Sequence, residues 1–412
     1  MQWLKEIPSH WEEKRMKYCF TERSEKNHPD EPVLCATQSQ GVIPQSMYAI
    51  RVVVVNKGFE GLKLVKVGDF VISLRSFEGG IEYAYYQGII SAAYTVLQPN
   101  NPQSSNYWKY LFKSHSYIQL LQTCVTGIRE GQNINYPMLS RAFIPLPPLA
   151  EQEKIVSYLE SKTSKIDAYV ADKEKEIQLL QELKQKTIAE AVTKGLNPNV
   201  KMKEYNSLIS SQYPEHWKIM RNKTFLSLTG EKVGNRANEY TLLSLTTKGV
   251  IVRDVESGKG KFPKDFDTYQ IVKMDDLVFC LFDIDETPRT VGLVKTEGML
   301  TGAYTALKVN KSIALPKYVY HYYLCVDDIK ALKPYYSGLR KTVRADKFLQ
   351  LYLPLPPVDE QQAIVAYIEE KCQKIDTLIT ELQAEIDYLK EYKQRLIADV
   401  VTGQVNVQNE MI

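Results

Sequence analysis

The sequence has few of the residues and patterns that support disulfides, zinc binding, membrane insertion or secretion. Its six cysteines include no C-x-x-C pair, which argues against both a disulfide framework and a zinc site. No apolar run approaches the ~20 residues that a membrane span requires, and the first residues do not resemble a signal peptide. We therefore expect a protein of the reducing cytoplasm that does not enter a membrane.

Motifs that carry catalysis are also missing. The sequence has no G-x-x-x-x-G-K-[ST] phosphate loop, no G-x-G-x-x-G, no H-E-x-x-H and no G-x-S-x-G. Aliphatic residues flank its Pro-Pro pairs, so neither is the Asn/Asp-Pro-Pro-aromatic loop of amino-methyltransferases. Asp283, Asp285 and Glu286 have no counterpart in the first half of the chain, and we interpret them as a solvated loop rather than a metal site. We predict a non-catalytic protein without a metal or a cofactor of its own.

Composition indicates globular domains with an uneven distribution of charge. The 412 residues are 44% hydrophobic and 25% charged, which suits two or three domains with cores of their own. Residues 1–144 carry 15 Lys+Arg against 12 Asp+Glu, or +3, and residues 205–353 carry 22 against 16, or +6. Residues 145–204 are balanced at 10 against 10, and residues 354–412 carry 5 against 11, or −6. The two positive segments are where a polyanion is expected to bind.

One stretch occurs twice in the chain, as residues 145–193 and 354–402. At a constant offset of 209 residues, 24 of the 49 aligned positions are identical without a gap. Each copy opens with closely spaced prolines, which suit the residues just before a helix and its first turn, and then has no Pro or Gly until Gly195 or Gly403. Each copy therefore predicts one long helix.

Apolar residues recur along both predicted helices at steps of three, four and seven residues. This spacing is typical of a coiled coil, and the natural partner of each helix is the other, lying antiparallel. Lys162 and Lys371 fall on the predicted seam, where a polar residue can fix the register. A helix of 43 residues, from 151 to 193, is about 64 Å long. The seam residues are Ile155, Leu159, Ile166, Val170, Ile177 and Leu180, and Ile364, Ile368, Ile375, Leu378, Leu382, Ile386, Leu389 and Leu396.

The two remaining segments of the chain repeat one plan more loosely. Pro-Ser-His-Trp at residues 8–11 is matched by Pro-Glu-His-Trp at 214–217, and Ala-Tyr-Thr-Val-Leu by Ala-Tyr-Thr-Ala-Leu. His10 and His216 occupy matching positions beside a tryptophan, and we interpret both as packing residues. The halves act as each other's homologue: the frame motifs stay similar while the loops between them differ.

Local patterns give a mixed assignment of secondary structure to these segments. Val33–Ala36, Arg51–Val55 and Asp69–Leu74 predict short strands, and Tyr107–Val125 predicts a helix. We predict the α+β (mixed α/β) class, with two globular domains joined by two long antiparallel helices that form a coiled coil. The whole chain is then a pseudo-twofold internal repeat.

Loops that differ on a shared scaffold are the expected site of binding specificity. The loops after Gly127 and after Gly338 lie at equivalent places, and both present side chains that bond to phosphates and purine edges. A salt-bridged surface turn is the alternative interpretation of these loops. With the unmatched loops near residues 75–80 and 249–263, they give the candidate DNA-contacting residues Arg75, Ser76, Arg129, Gln132, Asn133, Lys259, Lys261, Arg340, Lys341 and Arg344.

The repeated Pro-Leu-Pro-Pro stretches, followed by Leu-Ala-Glu-Gln-Glu-Lys-Ile and by Val-Asp-Glu-Gln-Gln-Ala-Ile, carry a family resemblance. With Pro-x-His-Trp near the start of each half, the chain resembles the specificity subunit of a type I restriction-modification system over nearly its whole length. The resemblance implies target-recognition domains at residues 1–143 and 205–353, and conserved helical regions at 144–204 and 354–412. Each recognition domain would bind one half of a bipartite, asymmetric target in double-stranded DNA.

The resemblance also implies partners and their cofactors. The helices would act as a spacer and would dock two modification subunits, which methylate adenine with S-adenosylmethionine. Restriction subunits with ATP- and Mg²⁺-dependent translocase activity would join through these. The candidate docking residues are Glu151, Gln152, Glu360 and Gln361.

Besides self-association, or an electrostatic contact between the +6 segment and the −6 helical segment, two alternatives stay open at the level of sequence. One is a stand-alone DNA-binding or coiled-coil scaffold protein without enzymatic partners. The other is a DNA methyltransferase in its own right, which the missing cofactor and catalytic loops disfavour.

Overall fold

The computed structural model describes residues 3–4, 6–48, 58–127, 133–253 and 266–409. The chain divides into two compact units. Unit 1 comprises Met1–Glu174 and Gln383–Ile412, and unit 2 comprises Lys175–Leu382. Each unit therefore contains one globular domain together with a segment of each long helix.

The globular domain of unit 1 is built from short strands and short helices. Its strands are β1 Glu12–Arg15, β2 Phe20–Arg23, β3 Leu34–Thr37, β4 Gly41–Pro44, β5 Lys63–Val65, β6 Phe70–Ile72, β7 Glu82–Tyr83, β8 Gly88–Ile90, β9 Thr95–Pro99, β10 Val125–Thr126, β11 Asn133–Ile134 and β12 Phe143–Leu146. Its short helices are α1 Ser76–Gly79, α2 Ser105–Leu111, α3 His115–Thr123 and α4 Tyr136–Leu139.

The globular domain of unit 2 has a similar composition of elements. Its strands are β13 Met202–Glu204, β14 Gln212–Pro214, β15 Lys218–Arg221, β16 Leu226–Leu228, β17 Leu243–Thr246, β18 Gly249–Val252, β19 Gln270–Val272, β20 Leu277–Phe279, β21 Val291–Leu293, β22 Gly298–Leu300, β23 Thr305–Val309 and β24 Tyr352–Leu355. Its helices are α6 Asn222–Phe225, α7 Pro316–Asp328 and α8 Ala345–Gln350.

The two long helices are α5 Leu149–Lys194 and α9 Val358–Val401. Each begins immediately after a Pro-Pro pair and ends before a glycine, as the sequence predicts. Gly195 and Gly403 have φ of 71° and 76°, the left-handed conformation in which a helix commonly ends and which glycine adopts at little cost. The mixed α and β class and both long helices are confirmed.

The same strand order occurs in both units. A four-stranded antiparallel sheet has the order β2-β9-β6-β7 in unit 1 and β16-β23-β20-β21 in unit 2. The two-stranded pairs β1-β12, β3-β4 and β5-β8 of unit 1 correspond to β15-β24, β17-β18 and β19-β22 of unit 2. The loose sequence similarity between the globular segments thus reflects one hydrogen-bonded framework used twice.

Aromatic side chains fill the core beneath each four-stranded sheet. In unit 1, the ring of Phe70 on β6 lies 5.8 Å from Phe20 and 5.1 Å from Phe112, in edge-to-face contacts. In unit 2, Phe279 on β20 lies 5.1 Å from Tyr323 and 4.7 Å from Phe348. Such contacts add to the hydrophobic stabilisation that burial of the rings supplies.

Each globular domain is fixed to the end of a long helix in the same way. The hydroxyl of Tyr107 donates to the Val401 carbonyl at 2.8 Å in unit 1, and that of Tyr318 donates to the Val192 carbonyl at 3.1 Å in unit 2. Val192 and Val401 are 209 residues apart, which is the offset of the sequence repeat. The bonds satisfy carbonyls of the last helical turn, which have no partner within the helix.

Ion pairs link the α5 and α9 segments within each unit. Lys393 lies 2.6 Å from Asp167 in unit 1, and Lys184 lies 2.7 Å from Asp376 in unit 2. Since both Asp and Lys are repeat-equivalent, these are two copies of one contact. In unit 1, Lys390 also pairs with Glu174. Contacts move down α9 as they move up α5, so these two segments are antiparallel.

Two predictions on helical detail are wrong. The single helix predicted at Tyr107–Val125 is two helices, because the Ser114 hydroxyl accepts the Tyr117 N–H at 3.4 Å and donates to the Leu111 carbonyl at 2.7 Å. A serine that bonds the ends of both helices competes with a continuous helix. Lys162 and Lys371 are exposed and do not lie on the seam, and their ammonium groups cover the rings of Tyr158 and Tyr367, one helical turn before each lysine.

Strand predictions for the first segment are close where the structure describes the chain. The strand predicted at Val33–Ala36 is Leu34–Thr37, and that predicted at Asp69–Leu74 is the shorter Phe70–Ile72. The strand predicted at Arg51–Val55 lies outside the described residues. Within the described ranges, no helix combines the length and the apolarity needed to cross a bilayer.

Candidate nucleic-acid interface

The structure brings together two loops of unit 2 that the sequence singles out separately. The Asp283 N–H donates to the Arg340 carbonyl at 2.9 Å, and an Arg340 guanidinium nitrogen lies 3.5 Å from the Asp283 carboxylate. Lys341 lies 2.6 Å from Glu286 and 3.1 Å from Asp285. The acidic loop interpreted as merely solvated is therefore ion-paired with the basic loop predicted to contact DNA.

The third candidate in this region, Arg344, lies just before α8. Its guanidinium is 3.0 Å from the Asp346 carboxylate, and both side chains are well exposed. An exposed pair of this kind contributes little to stability, so Arg344 is able to exchange Asp346 for a phosphate at small cost.

In unit 1, the candidates Arg75 and Ser76 have different environments. The Arg75 side chain is 76% exposed and lies 3.6 Å from Glu78. Ser76 is buried, and its hydroxyl accepts the Ser73 N–H at 2.9 Å. Arg75 is thus available to a ligand, whereas the predicted DNA contact of Ser76 is not supported, because its hydroxyl holds the shape of its own loop.

The remaining candidates are one exposed residue and four that lie outside the described residues. Asn133 begins β11 and is exposed, and its side-chain oxygen accepts the Ile134 N–H at 2.9 Å. The candidates outside the described residues are Arg129, Gln132, Lys259 and Lys261.

Sequence reasoning missed a cleft in unit 1 that contains a buried charge pair. Glu82 on β7 is 2% exposed, and the Lys113 ammonium lies 2.6 Å from one of its oxygens while the other has no partner. Burial raises the pKa of Glu82 to about 7, against the attraction of Lys113. Tyr83, Tyr85 and Lys109 line the same cleft, whose volume is about 790 Å³.

No local pattern in the sequence marks this pair. Glu82 and Lys113 are 31 residues apart, and β7 and the turn after α2 place them together. Lys113 also donates to the Gly79 carbonyl at 2.9 Å and the Gln38 carbonyl at 3.2 Å, which ties together three loops around the cleft.

The repeated Pro-x-His-Trp motif has a structural role that the sequence does not reveal. In unit 1, Trp11 donates its indole N–H to Glu151 at 2.8 Å, and His10 bonds to the same carboxylate at 2.7 Å. His216 and Trp217 bond to Glu360 at 2.7 and 3.1 Å in unit 2. The two histidines are exposed at their outer faces and are not simple packing residues.

Both glutamines predicted as docking residues are also engaged within their own unit. Gln152 and Gln361 are buried, and their amides donate to the carbonyls of Pro147 and Pro356 at 2.8 Å each. Gln361 also accepts the Leu315 N–H at 2.7 Å. The Glu-Gln pair at the start of each long helix therefore fixes that helix to its globular domain, and a role in docking a partner stays a prediction.

Comparisons with known proteins find similarity to proteins of one kind. The family described as "Type I restriction modification DNA specificity domain" matches residues 10–179. The type I restriction enzyme MjaVIII specificity subunit of Methanocaldococcus jannaschii is 23% identical over 84% of this chain and 81% of its own length. The HsdS subunit from Thermoanaerobacter tengcongensis has a similar fold, with a TM-score of 0.52 and 16% identity over 97% of this chain and 98% of its own.

A second solved structure is more similar in fold. A chain from a study of complex assembly and conformational transition of the type I R-M system gives a TM-score of 0.69 at 15% identity, covering 98% of this chain and all (100%) of its own. Residues 10–179 thus match the type I restriction modification DNA specificity domain, and over most of its length the chain is similar to specificity subunits of type I restriction-modification systems.

Proposed function

We propose that each globular domain reads one half of a bipartite DNA target within a type I restriction-modification complex. One observation carries the proposal: a single strand order recurs in both units, while the loops on it differ. The loop between β6 and β7 carries Arg75, whereas the equivalent loop between β20 and β21 carries Asp283, Asp285 and Glu286. Shared frameworks with different loops give related proteins different binding specificities.

Charge supports this assignment of DNA to the globular segments. Residues 1–144 and 205–353 have net charges of +3 and +6, from 15 against 12 and 22 against 16 charged residues. Binding to duplex DNA releases counterions from phosphates, so a net positive domain gains affinity that falls as salt rises. The loops then add the contacts to base edges that distinguish one sequence from another.

We further propose that α5 and α9 form one antiparallel coiled coil that sets the spacing between the two half-sites. The repeat-equivalent pairs Asp167–Lys393 and Lys184–Asp376 support it. With 46 residues, α5 is about 69 Å long, an upper limit of roughly 20 base pairs on the distance it spans. Inserting one helical turn into both helices should lengthen the spacer of the target and leave both half-site sequences unchanged. An unchanged spacer in the methylation map of that variant would contradict the proposal.

Exposed apolar side chains on the long helices support docking of two identical partners. Apart from Leu149 at the first residue of α5, each exposed large apolar residue of these helices has an exposed repeat-equivalent. Unit 1 contains Tyr169, Tyr388 and Tyr392, with exposures of 45%, 68% and 46%. Their equivalents in unit 2 are Leu378, Leu179 and Leu183, with exposures of 48%, 55% and 50%. Two equivalent apolar surfaces are what two copies of one subunit need.

In this assembly the present chain has no catalytic role. The modification subunits bind S-adenosylmethionine and methylate adenine, and restriction subunits that use ATP and Mg²⁺ join through them. Docking is tested by native mass spectrometry of the complex with L179E/L183E and with Y388E/Y392E. Each double variant should bind one modification subunit instead of two. Q181E/Q185E adds the same two charges to α5 without removing apolar side chains, and it should bind two.

The experiment that tests the main proposal is a methylation map. The chain is produced with its modification subunits, and methylated adenines are located by single-molecule sequencing of host DNA. Exchange of residues 1–143 for those of a relative should change one half of a bipartite motif and leave the other half and the spacer intact. A stable complex that methylates no such motif, or a chain that purifies without large subunits, would favour a stand-alone DNA-binding scaffold.

A further inference from the structure

Two loops of unit 2 meet in a strained and well-braced arrangement. Loop A, residues 281–287, joins β20 to β21, and loop B, residues 337–343, precedes α8. The Val343 N–H donates to the Leu281 carbonyl at 2.8 Å, and the Asp283 N–H donates to the Arg340 carbonyl at 2.9 Å. Asp283 and Lys341 have φ of 48° and 43°, which is uncommon for residues with a Cβ. Strain of this kind persists where the surroundings fix the backbone, and it is frequent at functional sites.

Arg340 is held on one face and along one edge, although most of it is exposed. Its guanidinium carbon lies 5.3 Å from the centre of the Phe282 ring. Phe282 in turn stacks on Tyr304 at 6.1 Å, with 8° between the ring planes. One nitrogen lies 3.5 Å from the Asp283 carboxylate, while the side chain remains 76% exposed. The remaining donors of the guanidinium are therefore oriented before any ligand binds.

Lys341, the next residue, is paired with carboxylates of loop A and is less exposed than Arg340. Its ammonium lies 2.6 Å from Glu286 and 3.1 Å from Asp285, and its side chain is 34% exposed. The hydrogen bonds to Glu286 and then to Asp285 raise the pKa of Lys341. Lys333 approaches the same Asp285 carboxylate at 3.3 Å. Lys341 is thus compensated by two carboxylates and joins loop B to loop A.

We propose that Arg340 reads one guanine in the half-site of unit 2, that Phe282 and Asp283 position it, and that Lys341 only braces the loops. The inference rests on the proposed function, because it requires that unit 2 reads a half-site. Guanine presents two acceptors, O6 and N7, in the major groove, and the planar fork of arginine matches both. A side chain whose orientation is fixed in advance loses less entropy on binding and discriminates better.

The surroundings of Arg340 suit a base edge better than a phosphate as its ligand. Loop A places Asp283, Asp285 and Glu286 around the basic residues of loop B, and these carboxylates repel the DNA backbone. A base edge carries no net charge and demands direction, so it fits the observed geometry.

The test uses the two halves of the target as signal and internal control. The complex with the modification subunits is prepared with R340A and with R340K, and methylated motifs are mapped for each. In the wild type, one position of the unit 2 half-site requires guanine. R340A should relax that position by on the order of 10- to 100-fold in relative methylation, and R340K should relax it too, since lysine lacks the planar fork. The half-site of unit 1 should not change.

Variants of the neighbouring residues separate positioning from bracing. F282A and D283N should relax the same guanine position, and F282Y, which keeps an aromatic face under Arg340, should retain it. K341M should lower the thermal midpoint of unit 2 without changing the motif. An unchanged unit 2 half-site in R340A, or relaxation of the same position by K341M, would overturn the assignment. If the wild-type complex methylates no bipartite motif, the proposed function fails before any variant is compared.

Discussion

Replacement of Glu82 by glutamine should remove the part of the pH dependence of unit 1 stability that comes from ionisation of the Glu82 carboxyl group. Glu82 is 2% exposed, and one of its oxygens has no partner. Burial raises its pKa from 4.5 to about 7, although Lys113 is 2.6 Å away. The folded protein therefore holds this proton over a pH range in which the unfolded chain has already lost it. Its contribution to stability is complete below about pH 4.5 and is lost as the pH rises through about 7.

The size of the effect follows from the difference between the two pKa values. One pKa unit corresponds to about 1.4 kcal/mol, so a rise from 4.5 to about 7 removes about 3 kcal/mol between acidic and alkaline pH. The amide side chain that E82Q introduces stays neutral at every pH and still accepts a hydrogen bond from Lys113. Relative to the wild type, E82Q should gain about 2–3 kcal/mol in the free energy of unfolding of unit 1 between about pH 5 and about pH 8.

Methionine oxidation by hydrogen peroxide across a urea gradient reads each unit separately. Met16 is fully buried in the core of unit 1, and Met299 is 5% exposed in unit 2. Peptide mass spectrometry gives the urea midpoint at which each becomes oxidised, for the wild type and for E82Q at both pH values. The urea midpoint of Met16 oxidation should differ between the wild type and E82Q at high pH only. The midpoint of Met299 oxidation should be the same in both proteins at both pH values. A Met16 difference that is the same at both pH values would refute the reasoning.

Three further predictions use the same two methionine probes. Burial lowers the pKa of His321 to about 4, so its contribution to stability is lost as the pH falls from about 6.5. The urea midpoint of Met299 oxidation should therefore decrease less at acid pH in H321Q than in the wild type. Asp327 is 4% exposed and accepts hydrogen bonds from the Thr290 N–H at 2.9 Å and from the Thr290 hydroxyl at 2.6 Å. D327A should therefore lower the free energy of unfolding of unit 2 by about 3–5 kcal/mol, and a decrease below ~1 kcal/mol would contradict this. Phe112 is fully buried, and F112A should cost unit 1 about 3–5 kcal/mol at Met16 while leaving Met299 unchanged.

The long helices could be predicted from the sequence because their signals are local. A Pro-Pro pair before each helix and a glycine after it limit the helix on their own, and the observed ends differ from the predicted ones by at most two residues. The break at Ser114 was not predictable from periodicity, since it depends on a side chain bonding to two helix ends. Lys162 was misplaced for a related reason: a period of 3.5 puts it on the seam, whereas the structure buries the next residue, Thr163.

The candidate site was predictable as a set of loops but not as a geometry. Arg340 was singled out because it follows Gly338 at a place equivalent to Arg129, which is information contained in the repeat. Its environment was not accessible, because Phe282 and Asp283 are more than fifty residues away and only the strand pairing brings them close. Glu82 shows the same limit: nothing in its neighbours in the chain indicates that its carboxylate is buried.

The ion pairs between the long helices imply that the repeat is self-complementary. Lys393 and Asp376 are the repeat images of Lys184 and Asp167, both of which lie on α5. A polypeptide that stopped near residue 204 would carry both members of the pair, and two such chains would supply each other's missing halves in an isologous dimer. The full chain is then the covalent form of that dimer. In a fused chain the second half no longer has to be identical to the first, so the loops of the two globular domains are free to differ.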